Sequence, residues 1–234
     1  MAQPMPPSYM AYDRTIVVFS PDGRLLQVEY AREMVKSGST SIGIKIDGGV
    51  LLGSVKMTVP LAVPESYRKT YQVDDHIGIV SAGSLADARE LVDTGRTRAQ
   101  IHQITYGEPI SVASLTTYLC DRKHLVTQYA GVRPYGVGLL VGGVDHTGPK
   151  LFETEPSGTM IEWKAQAIGR GADKAKKILE KDYKEGLDVE RGLRILVHAL
   201  RAGEKDASPE LIEVLHVTEK TATVLPASQV RKSF

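Results

Sequence analysis

A single cysteine, Cys120, is all the thiol the chain possesses, so its 234 residues hold neither an internal disulfide framework nor a cysteine-ligated zinc site. An excess of either charge is also missing. The 29 basic and 28 acidic side chains leave a net charge of +1, with no whole-chain attraction to nucleic acid or an anionic membrane. No apolar run approaches the roughly 20 residues that span a bilayer. The six histidines, His76, His102, His124, His146, His198 and His216, lack a metal-ligand spacing such as His-Glu-x-x-His. Met1 to Met10 has neither a basic start nor an apolar stretch, so no signal peptide is expected and the expected compartment is the cytoplasm. What is present is an ordinary globular composition, 42% apolar and 24% charged, with enough length to bury a sizeable core.

Residues 1–11 contain three prolines and little that would anchor them, and they read as a mobile tail ahead of one domain, 12–234. Leu25, Val28, Arg32 and Val35 recur at helical spacing over 24–36, with Ser20-Pro21-Asp22 as start signals and Gly38 as the stop. Strands are expected over 40–46 and 50–56, joined by Asp47-Gly48-Gly49, and over 67–73 and 77–82. Gly83 breaks the last of these and opens a helix over about 85–104; a second follows over 112–129. Strands over 135–144, 150–155 and 160–168, helices over 172–184 and 189–201, and strands over 211–218 and 221–225 complete the chain. Helices arrive in pairs between hairpins, which disfavours a doubly wound parallel sheet. Two antiparallel sheets stacked face to face, with a helix pair on each outside, cover every apolar face.

This order, together with Tyr12-Asp13-Arg14, the run from Phe19 to Ala31, Gly38-Ser39-Thr40, Ala86-Asp87-Ala88-Arg89 and Gly131-Val132-Arg133-Pro134-Tyr135-Gly136, closely resembles a proteasome α-type subunit of the archaeal form. The resemblance covers nearly all of the chain from Tyr12 to about Leu225. It implies an α/β (α+β) chain: a four-layer α-β-β-α sandwich of the N-terminal nucleophile hydrolase fold with an extra N-terminal helix. It also implies a seven-membered ring of such α subunits, capping a chamber of β subunits and gating the entry of unfolded protein. No cofactor, metal, nucleic acid or membrane enters that picture.

In catalytic relatives a threonine at the mature N-terminus attacks the peptide carbonyl, assisted by its own amine. The matching position here is near Ser39-Thr40, where the amine is locked in a peptide bond. The supporting acid should lie near Val55, which carries no charge, and only Lys69 matches the catalytic lysine. One member of a set that acts as a unit gives little rate. The chain is therefore expected to be inactive alone, as a structural and gating subunit of a threonine-type endopeptidase complex. Self-cleavage before Thr40 is the competing reading. Gly169-Arg170-Gly171 before Lys174 lacks the full phosphate-loop spacing and reads as a strand-to-helix turn.

The resemblance assigns three groups of site residues. Lys69, with Gly83, Ser84 and Glu29, implies a pocket for the C-terminal carboxylate of a regulatory AAA ATPase. An ammonium pairs well with such a group, and Gly83 leaves its backbone N–H open. Ser84 departs from the apolar residue common there, and its hydroxyl is expected to cap the following helix. Tyr12, Asp13, Pro21 and Tyr30 form the gate cluster, in which proline stiffens the turn. Arg14, Tyr129, Gly131 and Arg133 belong to inter-subunit contact, with Arg133 expected to fork onto a neighbour's carboxylate.

Overall fold

The computed structural model describes residues 17–56 and 60–234. A tight turn precedes the first helix: Ser20 N–H donates to the Arg24 carbonyl (2.9 Å) and Gly23 N–H to the Ser20 carbonyl (2.8 Å). Helix α1 (Leu26–Ser37) then buries Leu26, Val28 and Ala31, with Leu25 in the capping position. It ends at Gly38, where the chain enters β1 (Ser41–Ile46) and turns back through Asp47-Gly48 into β2 (Gly49–Val55). A short 3-10 turn, Pro64–Tyr67, delays the next strand, so β3 covers Thr70–Asp74 and not 67–73. β4 (Ile77–Gly83) leads into helices α2 (Leu85–Tyr106) and α3 (Val112–Leu125). Hydrogen bonds from Thr127 and Gln128 N–H to the carbonyls of His124 and Leu125 close α3 earlier than the expected 129.

β5 (Val137–Asp145), β6 (Gly148–Thr154), β7 (Met160–Glu162) and β8 (Ala165–Ile168) follow. Helices α4 (Ala172–Asp182) and α5 (Val189–Gly203), strands β9 (Ile212–Val217) and β10 (Ala222–Val224), and α6 (Ala227–Lys232) complete the described chain. Helix α6 has no counterpart among the elements expected from the sequence. The expected strand over 160–168 is two strands in two different sheets. The switch falls at Trp163-Lys164: Trp163 N–H donates to the Leu151 carbonyl of β6 (2.8 Å), whereas the Lys164 carbonyl accepts from Lys45 N–H of β1 (2.9 Å).

One sheet runs β10-β9-β2-β1-β8 and the other β3-β4-β5-β6-β7, with the registered neighbours antiparallel in both. Val50, Leu52, Val80, Leu140, Leu151 and Leu215 fill the space between the sheets. The outer face of the first sheet carries α4 and α5, with Leu193, Leu196, Val197 and Leu200 against Ile42, Ile44 and Val214. The outer face of the second carries α2 and α3 through Leu91, Leu115 and Leu119. Each such side chain contributes about 1.5–3 kcal/mol by leaving water. The architecture is the four-layer α-β-β-α sandwich, with α1 lying across the ends of β4 and β5. Among the described residues no helix is long and apolar enough to cross a membrane.

Candidate functional site

Ser39, Val55 and Lys69 meet at one end of the sandwich, brought there by the entry to β1, the end of β2 and the start of β3. Ser39 Oγ donates to the Val55 carbonyl (2.8 Å). Lys69 Nζ donates to the Ser39 carbonyl (2.6 Å), to Ser39 Oγ (2.8 Å) and to Ser41 Oγ (3.2 Å). Only 3% of Lys69 is exposed. Burial pulls its pKa down to about 7; the charge of Glu204 opposes the shift and that of Arg170 adds to it. The Ser39 nitrogen is an amide, its hydroxyl has an acceptor, and valine stands where an acid would. The group holds a buried lysine beside a serine whose amine is not free.

A carboxylate from the far end of the chain closes the next residue. Glu204, at the C-cap of α5, accepts from Thr40 N–H (2.7 Å) and Thr40 Oγ1 (2.8 Å) through Oε1. The Arg170 guanidinium grips the same carboxylate with contacts of 2.6–3.0 Å. Burial raises the Glu204 pKa, but the Arg170 and Thr40 bonds outweigh it and hold the group below the usual range. The turn before α4 is likewise satisfied from within. Arg170 N–H donates to the Gly38 carbonyl (2.8 Å) and Gly171 N–H to Thr40 Oγ1 (3.0 Å). Those amides face protein acceptors and not a phosphate.

Gly83 adjoins this group. Its φ of +108° is open to glycine, and a side chain there would strike the Gly136 carbonyl, while one on Gly38 would strike Gly83 N. Ser84 caps α2, its Oγ accepting from Asp87 N–H at 3.3 Å. A shallow cleft of about 260 Å³ opens beside it, lined in part by Gln27, Tyr30, Met34, Ser84, Arg133 and Pro134. Arg133 does fork onto a carboxylate, but that of Asp87 in its own chain, with both contacts at 2.7 Å. Gly136 N–H adds a third bond at 2.8 Å. Within the single chain, Asp87 is the carboxylate that this fork meets. Burial raises the Asp87 pKa, and the Arg133 and Gly136 bonds more than reverse it.

Glu29 is paired with the turn that precedes its own helix. Arg24 Nε donates to it at 2.7 Å, and its pKa falls chiefly through that bond. The carboxylate whose charge acts on Lys69 is Glu204. Pro21 lies in the exposed turn before α1, and Tyr30 and Tyr129 are exposed. Gly131, at φ +88°, bends the α3–β5 loop. Tyr12, Asp13 and Arg14 lie outside the described residues, as does the tail 1–11. Cys120 is buried, and its thiol is pushed up to about 11 by desolvation, which keeps it protonated and unreactive. Among the described residues no cluster of ligating side chains could hold a metal ion.

Two family models account for almost all of the chain. The model for the proteasome subunit matches residues 35–217, and the model for the N-terminal signature of A-type proteasome subunits matches residues 12–33. The chain belongs to the proteasome α-subunit family. It is 48% identical over 229 residues to the proteasome alpha subunit of Thermococcus sibiricus, covering 97% of this chain and 88% of that one. The corresponding figures for the proteasome alpha subunit of Methanopyrus kandleri are 46% over 230 residues, 97% and 94%. For that of Methanocaldococcus jannaschii they are 45% over 233 residues, 98% and 88%. As an α-type member, the chain is a component of a proteasome, which assembles with other proteasome subunits and degrades protein.

Two residues of this site escaped sequence reasoning. Asp87 had a signal, since an acid in the first turn of a helix is favoured by the helix dipole, and it stands within Ala86-Asp87-Ala88-Arg89. Glu204 had none: its partner Thr40 lies 164 positions away.

Proposed function

We propose that the chain is a non-catalytic subunit in a seven-membered outer ring of a proteasome core particle. It gates the passage of unfolded protein into a chamber of β subunits and docks the C-terminal tails of a regulatory AAA ATPase near Lys69. Tyr12, Asp13, Pro21 and Tyr30 shape the open gate, and Arg14, Tyr129 and Gly131 serve contact between neighbouring subunits. The compartment is the cytoplasm. A docked tail opens the gate only through its differential affinity for the open arrangement.

The observation that carries the non-catalytic part is the Ser39 centre. Its amine is in a peptide bond behind α1, its hydroxyl donates to the Val55 carbonyl, and Lys69 has all three donors engaged. Support for docking comes from the same lysine, a cation with no carboxylate bonded to it among the described residues, beside the close approach of Gly38 and Gly83. The test is Lys69→Ala in the assembled particle. ATPase-stimulated degradation is expected to disappear while small-peptide hydrolysis persists; stimulation at the normal level would refute the docking role. Intact mass measurement checks the rest, because a mature form beginning at Thr40 would mark an autoprocessed hydrolase instead.

A further inference from the structure

An ammonium has three N–H donors and no acceptor. All three donors of Lys69 are engaged within its own chain, by one carbonyl and two serine hydroxyls. That cage solvates the cation without neutralising it. The carboxylate nearest in effect, Glu204 at the end of α5, stands behind Thr40 and is already gripped by Arg170 from the β8–α4 turn. Glu213 of β9, on the neighbouring strand, is bonded to Lys56 and to Thr70. A carboxylate arriving from outside would therefore meet a buried charge held by neutral acceptors, and charge-assisted bonds are roughly twice as strong as neutral ones.

The cage is also built to let go. Ser39 Oγ donates to the Val55 carbonyl (2.8 Å) and Ser41 Oγ to the Ser81 carbonyl (2.7 Å). Both hydroxyls keep those bonds when Lys69 turns away, so release leaves neither of them without a partner. We propose that Ser39 and Ser41 latch Lys69 in the unliganded chain, and that a peptide ending in a free α-carboxylate docks by taking the place of their hydroxyls on the ammonium. The inference rests on the docking role of Lys69 given above and adds its regulation.

Docking then involves a proton. Burial holds Lys69 near 7 in the free chain, and a bound carboxylate favours the charged form and raises that value. Affinity is constant below about pH 7. Above it the free lysine must first gain a proton, so affinity falls by about tenfold per pH unit until the raised value of the complex is reached.

The test uses the full chain as purified and a short fluorescent peptide with a free C-terminus, with its amidated twin as control, titrated by anisotropy from pH 6 to 9. Expected are binding of the free-acid peptide only, the decline above pH 7, and an affinity about twofold to tenfold higher at pH 6 for both Ser39→Ala and Ser41→Ala. Lys69→Met should bind neither peptide. Affinity that is flat from pH 6 to 9, or unchanged in both serine variants while Lys69→Met loses binding, overturns the latch and leaves the docking role standing. Equal binding of the amidated peptide, or undiminished binding by Lys69→Met, overturns both. The wild-type pH profile needs no variant to fold.

Discussion

Two arginine forks clamp the two sheets, and they differ in what else holds the carboxylate. In each, an exposed guanidinium covers a nearly buried acid: Arg133 is 66% exposed over Asp87 at 8%, and Arg170 is 56% exposed over Glu204 at 6%. Each acid also takes a backbone N–H, from Gly136 and from Thr40 respectively. Asp87, however, stands in the first turn of α2, where the helix dipole favours a negative charge. Glu204 stands at the C-cap of α5, where the dipole opposes one. The α2 clamp is therefore supported by its helix, and the α5 clamp depends on Arg170, Thr40 and the nearby charge of Lys69. A carboxylate at the disfavoured end is a costly way to secure a strand entry. Its presence ties the centre around Ser39 and Lys69 to the α4–α5 layer.

The largest effect should come from cutting the unsupported clamp. Arg170→Ala leaves Glu204 buried at the wrong end of a helix with only Thr40 to hold it. The loss is about 2–4 kcal/mol once the half-exposed guanidinium is discounted for solvent screening. With roughly 2–4 °C per kcal/mol in a chain of this size, the melting temperature should fall by about 10 °C. Arg133→Ala should cost less, about 1.5–3 kcal/mol, because the dipole, Ser84 and Gly136 remain. Equal losses in calorimetry would mean that helix polarity does not distinguish the two.

Acid sharpens the same contrast. Both carboxylates have folded values below their ordinary 3.8 and 4.5. Their contribution is fully present above those values and disappears as pH falls through the depressed ones. The acid-unfolding midpoint should move to higher pH in either arginine variant, and further in Arg170→Ala. The buried lysines add a slope of the same sign in a higher pH window. Lys69 and Lys123 are both lowered to about 7 by burial, so between about pH 7 and their unfolded value of 10.5 the unfolded chain binds more protons. Both therefore make stability rise with pH across that window. Lys123→Met should flatten the rise, as read from urea midpoints at pH 7 and 9; an unchanged slope would mean that Lys123 titrates near its ordinary value.

Much of this arrangement is readable in the chain, and the rest is not for definite reasons. The Asp47-Gly48 turn, the Gly83 break and the paired helices indicate the layer order, because turn chemistry and periodicity are local. The switch of sheets at Trp163 carries no glycine or proline, so two strands read as one. Arg133 announces a fork but not its partner, since spacing names a residue type and not the carboxylate it meets. Lys69 is recognisable by position. Its burial among Ser39 and Ser41 follows only from three segments converging.

The smallest effect tests how much of the α2 clamp is simply a good helix start. Ser84 Oγ accepts from Asp87 N–H at 3.3 Å, a long bond, so Ser84→Ala should cost about 0.5–1 kcal/mol, or some 2 °C. A loss as large as that of Arg133→Ala would show that the cap, and not the fork, supports this end of α2. Ser84→Leu removes the same cap but adds apolar surface to the cleft beside Tyr30 and Met34. Stability should fall as in Ser84→Ala, while a tail with an aromatic residue before its carboxylate should dock more tightly, by about threefold to tenfold. Because the two readouts move in opposite directions, a general loosening of α2 cannot imitate the result: it would weaken both together.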